Sequence, residues 1–207
     1  MSASAVRQDF AEILRLVQPG SRVLDVGCGE GELLDLLVRN LHADARGLEI
    51  SPEGVSACLA RGLAVMQGDA DRDLSEFPSG AFDYVILSRT LQAMRNPRAV
   101  LGELLRISER AIVTVPNFGH WRVRLDLLLH GRMPMTGALP EPWWSTPNIH
   151  LCTLADFVTL TEDAGLAIEA CAALSGARAA RSIRAKAGLE NWRAETALFL
   201  LRRRLSG

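Results

Sequence analysis

Apolar residues along the chain follow two spacings. Val6, Phe10, Ile13, Leu14 and Val17 recur at helical intervals, with Ser4 placed to cap and Pro19-Gly20 placed to stop that helix. Arg22 to Val26 is instead a short, nearly continuous apolar run that halts at a knot of glycines, after which Leu33, Leu34, Leu37 and Leu41 resume the helical period. Ala45 to Ile50 reads as a second strand. Ser51-Pro52-Glu53 then supplies a cap, a first-turn proline and a first-turn acid for a helix to about Gly62. Short apolar runs at Ala64–Gln67, Phe82–Leu87 and Arg110–Val115 add three strands, with a helix from Asn96-Pro97 through Ile107 before the last of them. Strand followed by helix followed by strand is the right-handed crossover unit, so the pattern predicts an open α/β sheet with helices on both faces.

The remainder reads as a helix at Thr153–Ala164, strand six at Leu166–Ala173 and strand seven at Thr196–Leu201. No long helix separates these two strands, which predicts an antiparallel edge pair. The alanine- and arginine-rich stretch Ser175–Arg184 is expected to be mobile.

Composition narrows the class. The 207 residues are 48% apolar, enough for one domain with a sizeable core, and no linker or repeat divides them. Net charge is −1, and Lys186 is the only lysine among 23 basic residues, so no electrostatic footprint for nucleic acid is evident. No apolar run approaches the roughly twenty residues of a membrane span, and the N-terminus lacks a signal-type segment, so a cytoplasmic protein is expected. Cys28, Cys58, Cys152 and Cys171 are scattered without a paired spacing, which argues for reduced thiols and against zinc.

The chemistry concentrates at Asp25-Val26-Gly27-Cys28-Gly29-Glu30-Gly31, where glycines let backbone approach a ligand and a helix N-terminus follows. The spacing is G-x-G-x-G, not the dinucleotide G-x-G-x-x-G, and a ligandless strand-to-helix turn stays open from the loop alone. Glu49 lies a little over twenty residues beyond Gly27, where this architecture brings the second strand tip beside the first loop. A carboxylate there can accept from both ribose hydroxyls; a solvated acid is the alternative. Asp69 sits in the turn Gly68-Asp69-Ala70-Asp71, either as a ligand acceptor or as part of a solvated acidic turn.

Between strand five and the helix at Thr153 lies an insertion, about residues 117–152, holding three of the four tryptophans. A long ordered loop leaving the C-terminal edge of the sheet is a lid, an acceptor site or a contact surface. His120 is either an acid or base at the crevice mouth or a histidine bonded within a packed loop. His120, His150 and Cys152 provide only one local pair, too few ligands for a metal site. Trp143 and Trp144 fit core filling and partner contact equally.

Several runs resemble a known family. The glycine loop, Leu87-Ser88-Arg89-Thr90-Leu91-Gln92, Pro116-Asn117-Phe118-Gly119-His120-Trp121-Arg122-Val123-Arg124 and Thr146-Pro147-Asn148-Ile149-His150-Leu151-Cys152-Thr153 resemble the methionine biosynthesis protein MetW family over nearly the whole chain. The resemblance implies a Rossmann-like, seven-stranded methyltransferase sheet, mostly parallel with an antiparallel last strand. It implies S-adenosylmethionine or S-adenosylhomocysteine as ligand, with Asp25, Gly27, Cys28, Gly29 and Gly31 in the loop and Glu49 and Ile50 at the ribose. It further implies Asp69 at the adenine, Ala70 among the cofactor-binding residues, and Ser88 and Leu91 near the sulfonium. Gln92, Asn117, His120, Trp121, Trp143, Trp144, Asn148 and His150 become candidates for substrate or partner contact. The implied role is support of homoserine O-acyltransferase in methionine biosynthesis, the alternative being methylation of a small molecule. Relatives with histidine near position 92 have an obvious general base there, which Gln92 cannot supply.

Overall fold

A computed structural model describes residues 7–137, 139–147, 149–175, 178–182 and 188–204. Its centre is a sheet of eight strands in the order β3-β2-β1-β4-β5-β8-β6-β7. The elements run α1 (Gln8–Leu16), β1 (Arg22–Val26), α2 (Glu32–Leu41), β2 (Asp44–Glu49), α3 (Pro52–Ala60), β3 (Val65–Gln67), β4 (Phe82–Ser88), α4 (Pro97–Ile107) and β5 (Ser108–Pro116). They continue with α5 (Trp121–His130), α6 (Leu154–Asp163), β6 (Leu166–Ser175), β7 (Arg178–Ser182), α7 (Glu190–Arg193) and β8 (Thr196–Arg203).

Local chemistry explains the helix starts. Ser51 Oγ accepts from the Gly54 amide ahead of α3, and Asn96 Oδ1 accepts from the Ala99 amide ahead of α4, each with proline in the first turn. Thr153 and Asp156 form a reciprocal capping box at α6. The expected Ser4 cap lies outside the described residues.

Period-2 alternation sorts the strand side chains onto two helical layers. Val23, Tyr84, Ile86 and Ile112 pack with Phe10 and Ile13 of α1, Leu33, Leu34 and Leu37 of α2 and Cys58 of α3. Leu24, Val26, Val85, Leu87 and Val113 pack on the other face with Leu101 and Leu104 of α4 and Leu154 and Phe157 of α6. Phe157 meets Phe199 of β8 at 4.5 Å between ring centroids.

Three expectations need correction. The last two predicted strands do pair antiparallel, as β6 and β8, but the pair is not the sheet edge: β8 lies between β5 and β6, antiparallel to both, with its first six residues buried, and β7 flanks β6. An eighth strand, β7, pairs with β6 within the stretch expected to be mobile, while residues 176, 177, 183 and 184 lie outside the description. Alanine and arginine carry little strand signal, which is why the backbone pairing was not legible there. The insertion, expected as a loop, begins with the ten-residue α5. All four cysteines are free, and among the described residues no helix is long and apolar enough to cross a membrane.

Candidate cofactor crevice

β1 ends at Val26 and the chain turns through the glycine loop into α2. Gly27 has φ +72, and a Cβ there would lie 2.8 Å from Thr90 Cγ2. Gly31 caps α2 at φ +78, where a Cβ would lie 2.6 Å from Leu63 Cδ1 and 2.8 Å from Cys58 Sγ. Only glycine fits either position. Glu49, buried at the tip of β2, holds the turn: its Oε2 accepts from the Gly29 amide at 2.7 Å and its Oε1 from the Ser51 amide at 2.9 Å. One carboxylate thereby fixes both the glycine loop and the start of α3, with lone pairs remaining on both oxygens.

Two cavities meet at Gly27. One, of about 240 Å³, is lined by Arg7, Phe10, Asp25, Cys28, Gly29 and Ser88, among others. The second, of about 390 Å³, is lined by Glu49, Ile50, Asp69, Ala70, Thr90 and Met94, with Ile149 of the insertion also reaching it. The lobes form one bent crevice along the C-terminal ends of β1, β2 and β4, where open α/β sheets bind ligands.

Charge in the smaller lobe is unusual. Asp25 is buried, 2% exposed, near the end of β1. Burial, followed by repulsion from Glu49, pushes its pKa up to about 7, and Arg7 partly offsets this. Arg7 lies over the Phe10 ring at 4.2 Å and is paired through Nε and Nη2 with Asp9. The buried Asp9 carboxylate also accepts from Ser88 Oγ at 3.3 Å and pairs with Arg89 Nε at 3.4 Å. In the larger lobe, the Asp69 amide donates to Asp73 Oδ2, and Asp69 Oδ1 accepts from the Asp71 amide, shaping the turn. The Asp71 carboxylate accepts from the Arg95 amide at 2.9 Å, tying that turn to the segment after β4.

The sequence candidates divide. Asp25, Gly27, Cys28, Gly29, Glu49, Ile50, Asp69, Ala70 and Ser88 line the crevice, whereas Gly31 only shapes it. Leu91 does not line it: it is core, and it borders a separate, largely apolar cleft of about 380 Å³ with Gln92, His150, Cys152 and Phe157. There Gln92 Nε2 donates to Cys152 Sγ at 3.7 Å, Gln92 Oε1 has no partner among the described residues, and the His150 amide donates to the Gln92 carbonyl at 3.0 Å. Burial pushes the Cys152 thiol up to about 11 and the Cys28 thiol higher still, so both are protonated at neutral pH.

Asn117 offers nothing to a ligand or partner. It is 2% exposed, its Nδ2 donates to the Asn191 and Ala194 carbonyls, and its Oδ1 accepts from the Gly119 and Leu154 amides. It latches the start of the insertion to α6 and to the segment before β8. His120 is also buried, where it caps α5 through Nδ1, and burial lowers its pKa. It lines neither lobe. Trp121, Trp143 and Trp144 are exposed, the last two at 68% and 73%, so neither of that pair fills the core. Asn148 lies outside the described residues. Sequence reasoning missed Thr90 and Met94, which the turn after β4 carries into the larger lobe, and it missed Arg7, which lies just ahead of α1. Among the described residues no group of three or more potential ligands could hold a metal.

This sheet order, with a glycine loop after β1 and an acid closing β2, defines the fold class of the S-adenosylmethionine-dependent methyltransferases. A Thermotoga maritima enzyme of that class superposes with a TM-score of 0.69 at 15% identity, covering 95% of this chain and 88% of the other. One from Aquifex aeolicus gives 0.62 at 15% identity, with 96% and 93% covered. More specifically, residues 7–201 match the family described as methionine biosynthesis protein MetW, and the chain belongs to it. Over 158 residues it is 37% identical to the bifunctional methionine biosynthesis protein MetXA/MetW of Rhodopirellula baltica, covering 72% of this chain and 25% of that protein. Over 107 residues it is 34% identical to a ubiquinone biosynthesis O-methyltransferase of Xanthomonas oryzae pv. oryzae, covering 49% of this chain and 44% of that one. The matched region therefore spans less than half the length of either relative.

Proposed function

We propose that the crevice binds S-adenosylmethionine or S-adenosylhomocysteine, and that the protein acts as the adenosyl-ligand-binding partner of homoserine O-acyltransferase in methionine biosynthesis. The observation that carries the ligand is Glu49, which lines the larger lobe and accepts from the Gly29 amide of the glycine loop. Its free lone pairs suit a ribose diol, Asp69 suits the exocyclic amine of adenine, and the smaller lobe suits an amino-acid tail. The buried Asp25 carboxylate, which lines the smaller lobe, suits a cationic ammonium.

The partner reading is supported by two further facts. The Rhodopirellula relative joins MetXA to MetW in one protein. The insertion carries an exposed apolar surface, with Leu128 81% and Leu129 64% exposed on α5, and with Trp143 and Trp144 packed edge to face at 5.9 Å. Exposed apolar surface of this extent is the mark of an interface. Ile149, in the same insertion, borders the larger lobe, so ligand binding and docking share a segment.

Methylation of a small molecule is the second reading. A sulfonium ligand supplies an already activated methyl group, and this chain would contribute mainly positioning. The apolar cleft beside the crevice, with its unpartnered Gln92 Oε1, favours that reading. Acyltransferase activity measured with and without this protein, across S-adenosylmethionine concentrations, distinguishes the two. A ligand-dependent change in acyl transfer supports the partner role. Unchanged acyl transfer, with S-adenosylhomocysteine formed from an added acceptor, supports the enzyme.

A further inference from the structure

The cleft of about 380 Å³ lies outside the crevice, between the start of α4, the N-terminal half of α6 and the end of the insertion. Leu91, Leu151, Phe157 and Leu160 give it apolar, mostly aliphatic walls. One polar group interrupts them. Gln92 is 3% exposed, its Nε2 donates to the soft Cys152 Sγ at 3.7 Å, and its Oε1 meets no donor among the described residues. With the amide turned over, the Cys152 thiol would donate to the oxygen and the amino group would become the unmet end. Either way one end of a buried amide lacks a partner, and a hydroxyl, which both donates and accepts, satisfies it in both orientations.

Charge marks the other end of the cleft. Arg95 and Arg98 stand on its α4 side. Arg98 Nη2 donates to the Asp163 main-chain carbonyl at 2.9 Å, which braces the guanidinium against α6 without cancelling its charge. Asp156, the one acid lining the cleft, is turned to the capping box, where its Oδ2 accepts from the Thr153 amide and hydroxyl. Two cations against one engaged carboxylate favour an anion at this end.

We infer that this cleft is a second small-molecule site, which takes an aliphatic hydroxycarboxylate with its hydroxyl at Gln92 and its carboxylate at Arg95 and Arg98. The inference holds whether or not the crevice takes an adenosyl ligand, because of these three residues only Arg95 also borders the crevice. The two sites share a wall. The His150 amide donates to the Gln92 carbonyl, and Ile149 and Ala93, the residues next to each, line the larger lobe.

Nuclear magnetic resonance titration of the ¹⁵N-labelled full chain with three probes tests this. 8-Hydroxyoctanoate carries both end groups, octanoate lacks the hydroxyl, and 1,8-octanediol lacks the carboxylate. At millimolar concentration 8-hydroxyoctanoate should shift the Gln92 side-chain amide and the backbone amides of Leu151 and Leu160. The native protein should bind octanoate about three- to tenfold more weakly, the range of one neutral hydrogen bond. It should bind the diol about two- to fivefold more weakly, the range of an exposed ion pair. In Gln92→Leu, which removes the unmet amide, 8-hydroxyoctanoate should lose its advantage over octanoate. The native comparison needs no variant, so misfolding cannot conceal the answer. A Gln92 amide unmoved by 8-hydroxyoctanoate overturns the inference, as does equal native affinity for all three probes or a hydroxyl preference that survives in folded Gln92→Leu.

Discussion

The Gly29 amide donates to Glu49 Oε2 over 2.7 Å, joining residues twenty positions apart across the tips of β1 and β2. The same carboxylate accepts from Ser51 at the start of α3. Glu49 thus has a structural duty as well as the ligand duty assigned to it. Glu49→Gln keeps the shape but replaces one accepting oxygen with a donor that faces an amide. It should weaken S-adenosylhomocysteine by about ten- to a hundredfold and lower folding stability by about 1–2 kcal/mol. Calorimetry and chemical denaturation read the two effects separately. Unchanged affinity in a folded Glu49→Gln protein would remove Glu49 from the binding site.

Asp25 makes stability depend on pH. Its folded pKa of about 7 lies above the ordinary value of 3.8, so between those values the native state holds more protons than the unfolded chain. Stability should therefore fall as pH rises from about 4 to about 7, and level off above that. The upper bound is about 4 kcal/mol, reduced by whatever relaxation admits water. Asp25→Asn should flatten this slope and raise the denaturation midpoint at pH 8. An unaltered slope in the variant would mean that another group titrates.

Gly27→Ala should disable the crevice. The residue would take φ +72 with its Cβ 2.8 Å from Thr90 Cγ2, so either the loop or Thr90 must move. A loss of about 1–3 kcal/mol is expected. Thr90→Gly in the same chain should recover part of the clash but none of the backbone strain. Full recovery would show that contact, not conformation, selects glycine here.

Asn117→Ala is expected to cost about 2–4 kcal/mol, because it strands two carbonyls and two amides in the interior. The damage should fall on the insertion and on α7, not on adenosyl-ligand affinity. Hydrogen exchange would show lost protection at Gly119 and Leu154. An Asn117→Ala protein as stable as the native chain would refute the latch.

The exposed face of the insertion predicts partner loss without unfolding. In the proposed complex with the acyltransferase, Leu128→Arg combined with Trp144→Ala should weaken association by tenfold or more, while folding stability stays within about 0.5 kcal/mol of native. Sedimentation of the mixed proteins measures the first, and denaturation the second. A complex undiminished by both changes would remove this face as the docking surface.

What the sequence revealed depended on how locally each feature is encoded. Asp25, Gly27 and Glu49 were legible because strand length, crossover handedness and the glycine loop together dictate where β2 must end. Leu91 was misplaced because its neighbours in the chain reach the crevice while its own side chain turns to the core, a difference of one residue's orientation. Asn117 stood in a distinctive motif as a candidate for substrate or partner contact, yet its partners Asn191 and Ala194 lie over seventy positions away. Arg7 stands just ahead of a helix, and nothing in the helical period shows that this end overhangs β1. The location of β8 was equally hidden, since strand pairing with β5 is a property of the assembled sheet and not of Thr196–Leu201.

That location governs the order of assembly during synthesis. The β6–β7 hairpin leaves the ribosome before β8, yet it joins the sheet only through β8. Until Thr196–Arg203 emerges, the β5 edge and the hairpin both expose open backbone. The nascent chain therefore passes through an interval in which β1 to β5 wait beside an undocked tail.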